Sequence, residues 1–268
     1  MKYKLIISDV DGTLLDDSHR ITEENKKAVA EYRKAGGLFS LATGRIEKTA
    51  INLHTELSLD LPLILYNGAK IVDLKNNSTI YEKHLTREQA ESALKALSSY
   101  PVSVIFYCDG EGYTTEYTNN IKVHADMEGI LPNLSSDMAE VDLSRVNKIL
   151  FAGNDDEGDD LLFAGYLREY EKLCPVMPFI VRSNKKYLEI LPEGVNKGAA
   201  VEFLARHLGI KIDEVMCFGD NLNDFEMIEK AGLGVAMGNG HDALKKIAGL
   251  VAPLNTESGV AAVIRRYL

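Results

Sequence analysis

Apolar and polar positions alternate in two different ways along the chain. In the first third, short unbroken apolar runs are separated by stretches whose apolar residues recur every three or four positions, as buried parallel strands joined by amphipathic crossover helices require. Strands are expected at Leu5 to Ser8, Leu38 to Ala42 and Leu63 to Tyr66, and helices at Thr22 to Ala35 and Ile46 to Leu57. Glu23 and Glu24 fall in the first turn of the earlier helix, where they complement the positive end of its dipole, and Gly36 and Gly37 can stop it. The last third resumes the rhythm. A helix is expected over Lys197 to Leu208, a strand over Val215 to Phe218, a helix over Asp224 to Ala231 and a strand over Leu233 to Ala236, followed by a short helix, a strand and a terminal helix.

The middle has another period. Beyond Tyr81 to His84, the stretch TREQAESALKALSSY opens with Thr86 and Gln89 at capping-box spacing and reads as one amphipathic helix. Val102 to Tyr107 and Gly112 to Thr118 flank DGEG, a hairpin signal. A helix near Asn120 to Met127, a strand at Lys148 to Ala152, a helix near Asp159 to Leu173, and the pair FIVRS and YLEIL about a turn at Asn184 complete it. Hairpins interleaved with helices describe an α+β module over residues 84–190, inserted into an α/β core of residues 1–83 and 191–268.

Composition narrows the function. Hydrophobic residues at 46% and charged residues at 26% are those of a soluble globular chain. Thirty Lys plus Arg against forty Asp plus Glu give a net charge of −10 without any basic run able to neutralise a string of phosphates, so no nucleic acid partner is expected. A small anionic ligand stays open, because one divalent cation and a few aimed donors decide the field inside a pocket. Cys108, Cys174 and Cys217 are widely spaced and imply no disulfide framework. No apolar run reaches the roughly 18 residues of a membrane span or has the form of a signal peptide, so the expected location is cytoplasmic, with no membrane partner.

Four short stretches carry candidate chemistry. LIISDVDGT places Asp9 and Asp11 at a strand's carboxyl end, LATGR ends the second strand in Thr43, Gly44 and Arg45, Lys197 opens a helix in PEGVNKGAA, and GDNLND supplies Asp220, Asn223 and Asp224. Each alone has a plain reading: an Asx-type turn, a capped strand-to-helix turn, a solvated lysine, a turn with an N-cap. Their coincidence at one edge of one inferred sheet, where open α/β sheets bind ligands, is what carries a functional reading.

Taken in this order, DVDGT, ATGR, the helix-opening lysine and GDNLND resemble the four motifs of the haloacid dehalogenase superfamily of aspartate-nucleophile phosphatases. The long insertion resembles the type-two cap of its Cof-like sugar-phosphatase branch. The resemblance implies a Rossmann-like doubly wound parallel sheet core with an inserted α+β cap domain. It also implies a Mg²⁺-dependent phosphatase acting on phosphomonoesters of small metabolites, sugar phosphates foremost, through an aspartyl-phosphate. Asp9 would be the nucleophile and Asp11 the acid and then the base; residues i and i+2 of an extended segment project to the same side. Thr43, Lys197 and Asn223, with backbone N–H groups near Asp11 and Gly44, would hold the phosphoryl oxygens. Asp9, the Asp11 carbonyl and Asp220 would bind Mg²⁺, with Asp224 orienting Lys197 or a metal-bound water.

The cap would select the substrate by closing over the site, with Arg45, Arg182 and Lys185 as candidate contacts against the plainer reading of surface charge. Ile105, Phe106 and Tyr107 read as packing, and His124, His207 and His241 show no metal spacing. Two alternatives stand beside hydrolysis: a phosphomutase-like transfer to a second hydroxyl, and a non-enzymatic phospho-Asp receiver module. The latter would need neither an acid two residues after its nucleophile nor a cap.

Overall fold

Strand β1 (Leu5–Ser8) is buried at every residue. It is followed by α1 (Glu23–Lys34), β2 (Leu38–Leu41), α2 (Glu47–Glu56), β3 (Leu63–Leu65), β4 (Lys70–Asp73) and β5 (Ser78–Glu82). The inserted stretch adds α3 (Arg87–Ala96), β6 (Val104–Cys108), β7 (Glu111–Thr114), α4 (Asn119–Glu128), β8 (Asn133–Leu134), β9 (Val146–Ala152), α5 (Glu157–Leu173), β10 (Phe179–Asn184) and β11 (Tyr187–Leu191). The chain returns as α6 (Lys197–His207), β12 (Val215–Gly219), α7 (Phe225–Lys230), β13 (Leu233–Ala236), α8 (Asp242–Ile247), β14 (Leu250–Val251) and α9 (Gly259–Tyr267). The computed structural model describes residues 1–100, 102–153, 157–174, 176–184 and 186–268. These divide into two units, Met1–Tyr81 with Asn196–Leu268, and Glu82–Val195.

The first unit is built on a five-stranded sheet in the order β14-β13-β12-β1-β2, parallel at every pairing. An Ala42–Ile64 bridge continues it toward β3, which pairs with β4, and β4 with β5, in a smaller sheet. From β1 the early strands extend to one side and the late strands to the other. The boundary between β1 and β12 is therefore the switch point at which open α/β sheets leave a crevice for a ligand. Leu5 and Ile7 of β1 pack with Val201 and Leu204 of α6 and Met227 of α7. At the start of α1, the Thr22 hydroxyl accepts from the Asn25 amide at 3.2 Å, which satisfies an otherwise orphaned donor. The doubly wound core expected from the apolar runs is thus present, with the extra β4–β5 pairing that the pattern did not reveal.

The second unit is a six-stranded sheet in the order β10-β11-β9-β6-β7-β8, antiparallel except for the β7–β8 pair. Phe106, Ile149, Phe151 and Ile190 on one face pack with Ala93 of α3 and with Tyr166 and Tyr170 of α5. The Thr86–Gln89 capping box forms at the start of α3. The β6–β7 hairpin turns through Asp109 and Gly110, both at positive φ. Strand β7 stops at Thr114, earlier than the expected Thr118, whose hydroxyl instead caps α4 by accepting from the Ile121 amide at 3.2 Å. All three cysteines are free, and no helix among the described residues is long and apolar enough to cross a membrane.

Candidate active site

Asp9 follows the last residue of β1 in extended conformation, its amide bonded to the Phe218 carbonyl of β12 at 2.9 Å. The next residues, Val10–Leu14, wrap into a tight turn in which Gly12 has φ +79°. A side chain at Gly12 would be strained there, and its Cβ would lie 2.5 Å from an Asp220 carboxylate oxygen. The glycine therefore admits Asp220 to the turn. Thr13 then fixes it, its hydroxyl donating to Asp220 Oδ1 at 2.8 Å, while Asn239 Nδ2 donates to the Gly12 carbonyl at 2.7 Å.

Lys197, the first residue of α6, is wholly enclosed; its ammonium donates to Asp9 Oδ1 at 2.5 Å and to Asp224 Oδ1 at 2.6 Å. The other Asp224 oxygen accepts from the amides of Asp220 and Asn221 at 2.9 and 3.0 Å, so this buried acid ties the loop after β12 to the lysine. Three carboxylates thus crowd one ammonium. Burial pushes the Asp9 carboxyl well above the usual range, against the pull of Lys197, and Asp224 and Asp220 push it the same way. Burial opposes the charge on Lys197, but Asp224 and Asp9 outweigh it and hold the ammonium above the ordinary lysine value. Asp220, partly exposed, is pushed up to about 7, first by burial and then by Asp224.

The loop after β2 forms the neighbouring wall. Thr43 is buried, with its amide on the Ile64 carbonyl at 2.9 Å and its hydroxyl accepting from the Arg45 amide at 3.2 Å. Arg45 turns toward Asp11 and grips it with two hydrogen bonds, Nε to Oδ2 at 2.9 Å and Nη2 to Oδ1 at 2.6 Å. A forked pair of this kind fixes both position and orientation of the carboxylate. Asn223 Nδ2 donates to Asn67 Oδ1 at 3.0 Å, and Asn67 lies against Gly44.

Comparison with known proteins gives the geometry its family. The family model described as haloacid dehalogenase-like hydrolase matches residues 6–264. The chain belongs to the haloacid dehalogenase-like hydrolases. It is 32% identical, over 99% of its length and 96% of the relative's, to a 5-amino-6-(5-phospho-D-ribitylamino)uracil phosphatase of Bacillus subtilis. It is 34% identical, over 90% of its length and 86% of the relative's, to an HMP-PP phosphatase of Klebsiella pneumoniae. A solved structure of a haloacid dehalogenase-like hydrolase from Bacteroides thetaiotaomicron superposes with a TM-score of 0.88 at 28% identity, covering 99% of this chain and 100% of that one.

In this hydrolase the four expected loops come together around Asp9, and the oxygens of Asp9, Asp220 and Asp224 lie within 4.8 Å of one another. An all-oxygen set of carboxylates left with surplus negative charge fits a hard divalent cation. The structure divides the cluster's labour unevenly. Asp224 has both oxygens committed to Lys197 and to backbone amides, whereas Asp220 is committed at one oxygen to Thr13.

Arg182 pairs with Asp160 at 2.6 Å on the surface of the second unit, and Lys185 lies outside the described residues. His124 bonds the Tyr107 hydroxyl at 3.0 Å, His207 stacks on Phe203, and His241 caps α8 through the Ala243 amide at 3.1 Å. Thr13, Asn239 and Asn67 were not singled out from the sequence. Thr13 alone had a signal, lying inside DVDGT, while Asn67 and Asn239 reach the site from loops without a recognisable motif.

Proposed function

We propose that this hydrolase is a phosphatase of small phosphorylated metabolites that works through a covalent phospho-Asp9 intermediate, with Mg²⁺ as its cation. The observation that carries the reading is the enclosed Lys197 held between Asp9 and Asp224, with Asp220 and the Asp11–Arg45 pair beside it at the switch point of the sheet. The relatives support the phosphoryl part specifically. Two of comparable identity are named for unlike organic groups, a ribitylamino-uracil phosphate and HMP-PP, so phosphoryl chemistry is what their names share.

In the proposed reaction an Asp9 oxygen attacks phosphorus and the ester P–O bond breaks, with Asp11 giving its proton to the leaving alkoxide. Asp11 then takes a proton from water as the water oxygen bonds to phosphorus, and the Asp9–phosphorus bond breaks to release inorganic phosphate. To carry that proton, Asp11 exchanges a hydrogen bond from Arg45 for it. Lys197 holds the Asp9 carboxylate in position, and Thr43 and Asn223 offer donors to the phosphoryl oxygens. Asp9, Asp220 and the Asp11 carbonyl would hold Mg²⁺, which when bound neutralises part of the carboxylate and phosphate charge. Choice among organic groups is assigned to the Glu82–Val195 unit, with sugar phosphates the first class to test.

The test is phosphate release over a panel of phosphorylated sugars, nucleotides and cofactors, with Mg²⁺ and after its removal by EDTA. Turnover of monoesters that needs the cation is expected. Transfer of the phosphoryl group to a second sugar hydroxyl, without inorganic phosphate, would replace the hydrolase reading by a mutase.

A further inference from the structure

Strand β3 is followed by three consecutive residues at positive φ: Tyr66 at 51°, Asn67 at 53° and Gly68 at 103°. Glycine enters that region freely and asparagine tolerates it, but a buried tyrosine is strained by it and keeps it only where surroundings dictate the backbone. Here they do. The Tyr66 amide donates to the Arg45 carbonyl at 3.2 Å, the Asn67 amide donates to the Thr43 carbonyl at 2.9 Å, and the Tyr66 hydroxyl bonds Glu47. A Cβ on Gly68 would stand 2.5 Å from the carbonyl of Asn196, the residue that caps the helix opened by Lys197. The loop after β3 is therefore wedged among the loops that carry Thr43, Lys197 and Asn223.

Its asparagine side chain reaches two of them. Asn67 is 1% exposed and accepts from Asn223 Nδ2 at 3.0 Å. Its amide also lies where a Cβ on Gly44 would stand only 3.1 Å away, so the glycine of ATGR makes room for it. Asn223 carries two N–H donors on that nitrogen; spending one on Asn67 fixes the side chain and leaves the direction of the other determined.

We infer that Asn67 is a positioning residue for phosphoryl binding, holding Asn223 and the Thr43–Gly44 turn in register so that their donors meet the same phosphoryl group. This rests on the phosphatase reading above. The left-handed run at Tyr66–Gly68 is what aims the Asn67 amide between the two loops, and no group of Asn67 takes part in bond making.

The test compares full-length wild type, Asn67→Gly, Asn223→Ala and the double variant in Mg²⁺. It measures kcat and KM on the best monoester of the panel, and inorganic phosphate as a competitive inhibitor. Glycine keeps the positive φ while removing the amide, so Asn67→Gly should fold and melt close to wild type. Its KM and its inhibition constant for phosphate should each rise about tenfold, with kcat kept within about threefold, because a contact made equally to bound and reacting phosphoryl groups affects binding alone. Added to Asn223→Ala, the change should raise KM by clearly less than the tenfold it causes alone, since Asn67 acts in part through Asn223. KM and inhibition constant unchanged, a fall in kcat at constant KM, or effects that multiply in the double variant would each overturn the inference. If the glycine variant melts early, Asn67→Asp serves instead: it keeps an acceptor for Asn223 but sets a charge against the phosphate. It should raise KM further, and a wild-type KM would overturn the inference. A wild type that turns over no ester sinks the phosphatase reading alone, since calorimetric binding of inorganic phosphate to wild type and Asn67→Gly in Mg²⁺ still decides the role of Asn67.

Discussion

Among the described residues, each unit buries a lysine against acid, and the two lysines are placed quite differently. Lys197 stands at the start of a helix, wholly enclosed, between Asp9 and Asp224, with Asp220 close by. Lys148 lies in the middle of β9, its ammonium 3.1 Å from Glu189 of the neighbouring β11 and 4.8 Å from the centre of the Tyr107 ring. Lys148 and Glu189 match each other in charge, whereas the Lys197 cluster has more acid than base. A matched buried pair is a structural joint that well-packed apolar residues can replace, while surplus charge held in a crevice has to be answered by something that binds there.

That contrast can be broken most severely at Asp9. Asp9→Asn keeps the shape but removes the proposed nucleophile, and turnover is expected to fall by about 10⁴-fold or more. Because one of three crowded acids is gone, its melting temperature without divalent cation should not fall. Retained phosphate release would refute the nucleophile assignment, and a collapsed fold would refute the picture of surplus acid.

Next in size is the lysine itself. Lys197→Met leaves buried carboxylates without their ammonium and should cost about 3–5 kcal/mol in urea denaturation without divalent cation, together with loss of turnover. At the other lysine, Lys148→Met alone should cost about 3 kcal/mol, but Lys148→Met with Glu189→Leu should return to within about 1 kcal/mol of wild type. Turnover of a small aryl phosphate by that double variant should stay close to wild type. If the double variant is as unstable as the single, or loses turnover, the distinction between joint and site fails.

The smallest effect sharpens the comparison through pH. The folded protein holds the Asp220 carboxyl at about 7, and Asp9 is also raised, while in the unfolded chain both ionise near the ordinary value of about 4. A carboxyl raised by folding costs stability as pH climbs from the unfolded value through the folded one. The cation-free protein should therefore lose melting temperature between about pH 4 and 7, and Mg²⁺ should add more to it at pH 8 than at pH 5.5. Equal increments at the two pH values would show that the acids do not compete with protons for the ion.

Much of the core was legible because buried parallel strands leave an unmistakable imprint: β1 and β13 fall on the residues that their apolar runs marked. The acids were legible because they end such strands. The β4–β5 pair was not, since KIVD and STIYE mix polar and apolar positions around a lysine- and asparagine-rich turn. Lys148 and Glu189 escaped notice for a related reason. A charged residue within a strand pattern reads as a solvent-facing position, and only the sheet's register places the two side by side. Asn67 sits in a plain turn sequence, YNGA, and its importance lies in what three other loops place around it.

The bond between Lys197 and Asp9 joins residues 188 positions apart. A nascent chain emerging from the ribosome consequently carries Asp9 long before the lysine that steadies it, and a product terminated ahead of α6 is expected to be inert however well its inserted unit folds. Such separation also makes closure of the centre a late, long-range step. Refolding experiments should find the inserted unit's tyrosine signals recovering before the first phosphate is released.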